Sequence, residues 1–231
     1  MKSIRYALAA LLAAVPVAGI AAPVPQAAVQ PPVSEAHAAE LLALIFPQER
    51  IIALNLASAQ KELDAGYAAN DKVIALEPKQ PGIRAALVAA AMRELEAIYR
   101  RGLPALDAEL RAMLRQRLSD AESIELIAFF GSPTGAKLVA AMNEGVAASD
   151  GDTQADFRAD GRNRAVSAIG PEDGPALEAF GRSAAYPKVK QLTPAIQAAS
   201  DRAFAAMSQQ LDERLPALSR ETIQAFPGTV R

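Results

Sequence analysis

The sequence predicts an all-α fold, a helical array or bundle containing an internally duplicated helix–turn–helix unit. Three observations carry that expectation. Ala and Leu recur at spacings of three and four through most of the chain, and no alternating strand-like run stands out. Cap-type residues followed by proline or acid punctuate the chain repeatedly. Residues 126–150 also recur, without a gap, 51 positions later as residues 177–201. Leu126, Ala128, Phe129, Ser132, Lys137, Ala147, Ala148, Ser149 and Asp150 meet Leu177, Ala179, Phe180, Ser183, Lys188, Ala198, Ala199, Ser200 and Asp201. Nine matches in 25 positions exceed chance, although the Ala-Ala-Ser run weighs little in so alanine-rich a chain.

Residues 1–21 read as a cleavable secretory signal. Lys2 and Arg5 form the positive start, an uncharged Leu/Ala/Val run follows, and Gly19 and Ala21 supply small residues before Ala22. Pro16 interrupts the run, and about 16 apolar residues fall short of the roughly 20 a spanning helix needs. The expected compartment is the bacterial periplasm. No later run approaches 18 consecutive apolar residues, so no stable membrane span is expected after cleavage. Residues 22–33, with Pro23, Pro25, Pro31 and Pro32, read as an extended linker.

The all-α region then runs over residues 34–231, with 34–150 carrying the first unit and 151–231 the diverged repeat. Ser34 can cap a helix reaching Phe46, with Leu41, Leu42, Ile45 and Phe46 on one face. A second helix is expected over 48–70, ended by Asn70-Asp71. Pro78 and Pro81 bracket a turn, and a helix over 82–101 follows. Pro104 suits the first position of a further helix reaching Leu118. Ser119-Asp120-Ala121-Glu122 is a capping box. Its helix stops near Gly131, where Ser132-Pro133 caps the next, which runs to about Ser149. A helix over 153–169 comes next, and Gly170-Pro171 restarts the unit. The last periodic stretch holds Val189, Leu192, Ile196, Ala199, Ala203, Met207 and Leu211, with Pro194 expected to kink it or open a fresh helix.

Composition excludes several chemistries. The chain has no cysteine, which rules out a lipoprotein anchor, disulfides, thiolate catalysis and Cys-ligated zinc. His37 is the only histidine, so sites built from several histidines are impossible, and any Ser–His–Asp triad would have to use it. Removing Lys2 and Arg5 from the 24 basic residues leaves 22 against 26 acids, a net charge of −4. That balance argues against a nucleic-acid binder, whose domain should be strongly basic. Seven arginines stand between residues 84 and 117, but they form no uninterrupted stripe and read as solvated helix faces.

Leu118-Ser119, Glu122, Phe129-Phe130, Ser132, Pro133, Gly135 and Lys137 resemble the core of the bacterial family called domain of unknown function 2059. That core reads apolar-Thr-x-x-Glu-Leu, then Phe-Tyr-x-Ser-Pro-x-Gly-x-Lys. Ser123 stands where the family has Leu, and Phe130 where it has Tyr, so any role of that hydroxyl is lost. The second copy replaces Pro133 and Gly135 by Ala184 and Tyr186 but carries Pro194, six residues after Lys188, where the family often has a proline. The resemblance covers roughly residues 100–150. It implies a small exported α-helical protein and implies no activity.

From the residues alone, Phe129 and Phe130 should pack inward, Ser132 should end one helix and cap the next, and Gly135 should permit close helix approach. Lys137 near a helix N-terminus is unfavourable by about a few tenths of a kcal/mol, so it should have a partner, expected to be Glu122 or Glu125. Ser183 and Lys188 are the corner's counterparts in the repeat. The whole corner, Glu122, Phe129, Phe130, Ser132, Pro133, Gly135, Lys137, Ser183 and Lys188, is the candidate structural or binding site. Residues 131–137 lack the spacing of a phosphate loop, since Ala136 separates Gly135 from Lys137. Asp150, Asp152, Gln154 and Asp156 resemble the start of a calcium loop, but Ala155 and Gly161 occupy its glycine and glutamate positions.

No catalytic residue, cofactor or metal is expected. The expected function is non-enzymatic: binding of an envelope protein or a small apolar ligand in a groove between helices. The alternative is a hydrolase of cell-wall glycan using a pair of carboxylates. The oligomeric state is left open.

Overall fold

The computed structural model describes residues 33–149 and 153–227. The expected signal, and the expected linker apart from Val33, lie outside them. Among the described residues the chain forms α1 (Glu35–Ile45), α2 (Gln48–Ala68), α3 (Asp71–Leu76), α4 (Ile83–Arg117), α5 (Asp120–Phe130), α6 (Pro133–Ala147), α7 (Gln154–Ala168), a 3-10 turn (Pro171–Asp173), α8 (Gly174–Gly181) and α9 (Ala185–Ala225). No strand forms among them, and the fold is all-α as expected.

Two long helices are the frame. At 1.5 Å per residue, the 35 residues of α4 span about 50 Å and the 41 of α9 about 60 Å. They lie antiparallel. Arg202 meets Glu109 at 2.7 Å, Phe204 packs edge-on against Tyr99, and Met207 lies over Gly102. Leu95, Ile98, Tyr99, Leu103, Leu106, Leu110 and Leu114 of α4 are almost wholly buried, as are Val189, Phe204 and Leu211 of α9. Each such side chain contributes roughly 1.5–3 kcal/mol by leaving water.

This packing overturns one expected boundary. Pro104 does not open a helix but sits inside α4, as Pro194 and Pro216 sit inside α9. A proline interrupts one hydrogen bond, at a cost of about 3 kcal/mol. The buried leucine stripe on both sides of Pro104 exceeds that. At Pro194 the preceding Thr193 does not cap; its hydroxyl donates to the Val189 carbonyl one turn back. Residues 71–76, between the helix end expected at Asn70-Asp71 and the turn expected at Pro78 and Pro81, form α3 because the Asn70 side chain accepts the N–H groups of Lys72 and Val73.

Helix α2 runs antiparallel along α4, held at its start by Gln48 to Asp107 and Glu49 to Arg100. Near its far end, α3 and the tips of α4 and α9 enclose a small satellite core of Val73, Ile83 and Leu87. At the opposite end α1, α5, α6, α7 and α8 gather. The apolar stretch Glu35–Ala68 is long and apolar enough to cross a membrane by composition, but it breaks at Phe46-Pro47. Its Leu41, Leu42, Ile45, Ile51 and Ile52 are buried in the core.

Helix α7 is polar almost all round and packs through Phe157, Gly161 and Ala165, four residues apart, onto α6. The two backbones approach most closely at Gly145 and Gly161, where a methyl group on Gly145 would lie 2.7 Å from the Asp160 carbonyl oxygen. The two segments that align at the 51-residue offset each fall on a short helix, a corner and a second helix, α5–α6 and α8–α9. They part company after that, since α6 ends after 15 residues and α9 continues for 41.

Candidate functional site

The corner between α5 and α6 is assembled from its caps outward. Ser119 and Glu122 complete the capping box: the Ser119 N–H donates to the Glu122 carboxylate at 2.7 Å and the Glu122 N–H to the Ser119 hydroxyl at 3.3 Å. Glu122 is thereby committed to its own helix. Ser132 closes one helix and opens the next, its hydroxyl donating to the Phe129 carbonyl and accepting from the Gly135 N–H. Pro133 fills the first position of α6, where no N–H is needed. Gly135 is fixed by sterics: a Cβ there would stand 2.6 Å from the Phe130 Cα and nearer still to the Phe129 carbonyl oxygen.

Phe129 and Phe130 are both buried, and they meet Phe180 of α8. The Phe129 and Phe180 rings stack with centroids 3.9 Å apart and planes 5° from parallel. Phe130 and Tyr186 contact the Phe180 ring edge-on, at 6.1 and 5.5 Å. The two phenylalanines that align at the 51-residue offset thus meet face to face.

Lys137 does not reach Glu122 or Glu125. Its ammonium donates to Asp173 at 2.6 Å and to Glu172 at 3.2 Å, both on the turn before α8. Asp173 is buried and accepts three donors: Lys137, the Thr134 hydroxyl at 2.7 Å and the Gly170 N–H at 2.9 Å. These, Lys137 foremost, hold its carboxyl down to about 2. The same contacts push the Lys137 ammonium up, Asp173 more than Glu172. Glu125 accepts the Ala185 N–H at 3.0 Å, supplying from α5 the cap that α9 lacks in its own sequence.

The second-copy candidates are arranged differently. Ser183 does not cap α9; its N–H bonds the Phe180 carbonyl, and its hydroxyl is buried without a partner. Lys188 lies half-buried in the first turn of α9. Sequence reasoning missed Asp173, Thr134, Glu172 and Phe180. A signal existed for two of them, because Asp173 and Phe180 lie 51 residues beyond Glu122 and Phe129.

His37 lies in α1, and its Nδ1 is 2.6 Å from the Asp120 carboxylate, which also accepts the Ser34 N–H. Those bonds, Ser34 first, lower the Asp120 carboxyl below its ordinary range. The Ser34 hydroxyl serves the His37 backbone N–H as a helix cap, so the trio clasps α1 to α5. Among the described residues no group of three or more His, Asp or Glu is placed to hold a metal ion. Of the calcium-like stretch, Asp150 and Asp152 lie outside the described residues, and Asp156 forms a capping box with Thr153.

A cleft lies elsewhere, between α2 and α6. Leu54, Ala57, Ser58, Lys61, Glu62 and Ala65 form one wall, and Glu144, Ala147 and Ala148 the other, around about 530 Å³. Glu144 is paired with Arg50 at 2.8 Å. A smaller space of about 260 Å³ lies between α2 and α9, lined by Leu63, Gly66, Tyr67, Leu215 and Pro216 among others.

Residues 104–157 match a family model described as an uncharacterized protein conserved in bacteria (DUF2059). The match covers α5, α6, the last part of α4 from Pro104 and the start of α7. The second helix–corner–helix lies beyond it. No curated protein and no solved structure matches the chain.

Proposed function

We propose that this chain is a non-enzymatic binding protein of the bacterial cell envelope, exported to the periplasm by residues 1–21. The observation that carries the reading is the α2–α6 cleft. Its volume falls within the range of small-ligand sites, its walls are mainly aliphatic, and a few polar groups stand along them. The ligand class is a small apolar molecule with one polar end, which Lys61 or Ser58 would orient. Within the matched corner, Ser132, Pro133, Gly135 and Glu122 are spent on caps and close packing.

The test is titration with the fluorescent apolar anion anilinonaphthalene sulfonate. The mature protein should bind it saturably, and Ala57→Trp, which fills the cleft, should weaken binding tenfold or more. No saturable binding, or equal binding by the filled variant, would remove the cleft from consideration.

One observation favours a second reading, a carboxylate-dependent hydrolase acting on cell-wall glycan: Glu62 and Glu144 stand on opposite walls of the same cleft. Glycan cleavage by the mature chain, abolished by Glu62→Gln with the fold intact, would establish it in place of the first.

A further inference from the structure

We propose that residues 170–184 are an internal strap seated on a docking face. That face consists of Phe129, Phe130, Thr134 and Lys137, and its occupant from outside is a partner helix carrying an acid, a leucine and a phenylalanine at i, i+4 and i+7. The inference stands independently of the α2–α6 cleft.

The strap is held at few points. Between Pro171 and Arg182 only Asp173 and Phe180 are buried, and the rest is half-buried or exposed. A methyl group added at Gly174 would touch nothing within 4 Å. Where the strap enters α9, Ala184 offers no side-chain cap and the Ser183 hydroxyl finds no partner. The helix start there leans on Glu125 of α5.

The anchors have the form of a recognition helix. Asp173, Leu177 and Phe180 fall on one helical face, with Leu177 packed against the main core between the two buried anchors. The face answers each: Lys137 and Thr134 bind the carboxylate, and Phe129 stacks on the ring. Charge complementarity and a flat aromatic contact together select an acid and an aromatic two turns apart. The same spacing occurs again in this chain as Glu122, Leu126 and Phe129.

Two measurements test this. Hydrogen exchange of the intact mature chain should show the amides of residues 178–183 opening locally, at least a hundredfold faster than the core of α4 around Leu95–Leu103. Exchange of the two at one common rate would overturn the proposal. The second uses a labelled synthetic peptide of residues 170–184. Full-length protein bearing Asp173→Ala and Phe180→Ala should bind it saturably and at least tenfold tighter than the wild-type chain does. Adding Lys137→Ala should abolish that binding. A folded double variant that ignores the peptide, or binds it equally well without Lys137, would refute the docking face. If the double variant fails to fold, the exchange measurement on the wild-type chain decides. Binding of a second copy of the chain by the opened variant, lost with Lys137→Ala, would support the face and identify the strap's own sequence as its partner.

Discussion

Gly135→Ala should be among the most damaging single methyl groups that can be added to this protein. In an ordinary helix the change would stabilise by about 1 kcal/mol, because alanine has the higher helix propensity. Here the new Cβ would come within 2.6 Å of the Phe130 Cα and 2.8 Å of the Phe129 carbonyl carbon. The obstructing atoms are main chain, so relief requires α6 to back away from α5 and disturb the Ser132 cap. Overpacking against groups that cannot rotate away costs about 3 kcal/mol, leaving a net loss of about 2 kcal/mol. For a chain of this length that lowers Tm by roughly 4–8 °C. Gly102→Ala is the internal control. The three atoms nearest its Cβ would all belong to the Met207 side chain, Sδ at 2.6 Å and Cγ at 2.9 Å foremost, and a methionine can change rotamer. Urea unfolding and thermal melts of both variants would measure the difference. A Gly135→Ala protein as stable as wild type, or no worse than Gly102→Ala, would refute this account of the corner.

Other expectations follow from the same geometry. Ser119→Ala removes the hydroxyl of the capping box and should cost about 1 kcal/mol, visible as a lowered urea midpoint with an unchanged slope. Asp173 has a carboxyl lowered from 3.8 to about 2 in the folded chain, chiefly by Lys137. Because the folded value lies below the unfolded one, its stabilising effect is complete above the ordinary carboxylate range. It is lost as pH falls from 3.8 towards about 2. Asp173→Asn should therefore flatten the acid limb of a stability–pH profile, and an unchanged limb would show that Lys137 and Asp173 do not couple.

How far the sequence could be read depended on whether the deciding partner lay nearby. Ser119 with Glu122, and Ser132 with Pro133 and Gly135, interact within three residues, so those caps and the α5–α6 corner were legible. Pro104 reads as a helix start by the same local logic, and Pro194 as either a kink or a fresh start. Their fate was decided by the packing of α4 on α9, in which contacting residues lie about 100 positions apart. Thr193, a residue type that often caps helices, instead satisfies a carbonyl one turn back with its hydroxyl. Lys137 needed a partner on simple electrostatic grounds, yet the partner stood 36 residues ahead in a segment where no unmatched acid drew notice. The α2–α6 cleft left no local mark at all. It lies between two helices distant in sequence, and its lining alanines look like any others in the chain.

Native mass spectrometry of the mature chain, recovered gently from its cell envelope, shows whether a ligand occupies the α2–α6 cleft. The expected result is a chain beginning at Ala22 with an additional non-protein mass, and loss of that mass in the Ala57→Trp variant. A bare chain mass for the wild-type protein, or an added mass that survives with the cleft filled, would contradict it.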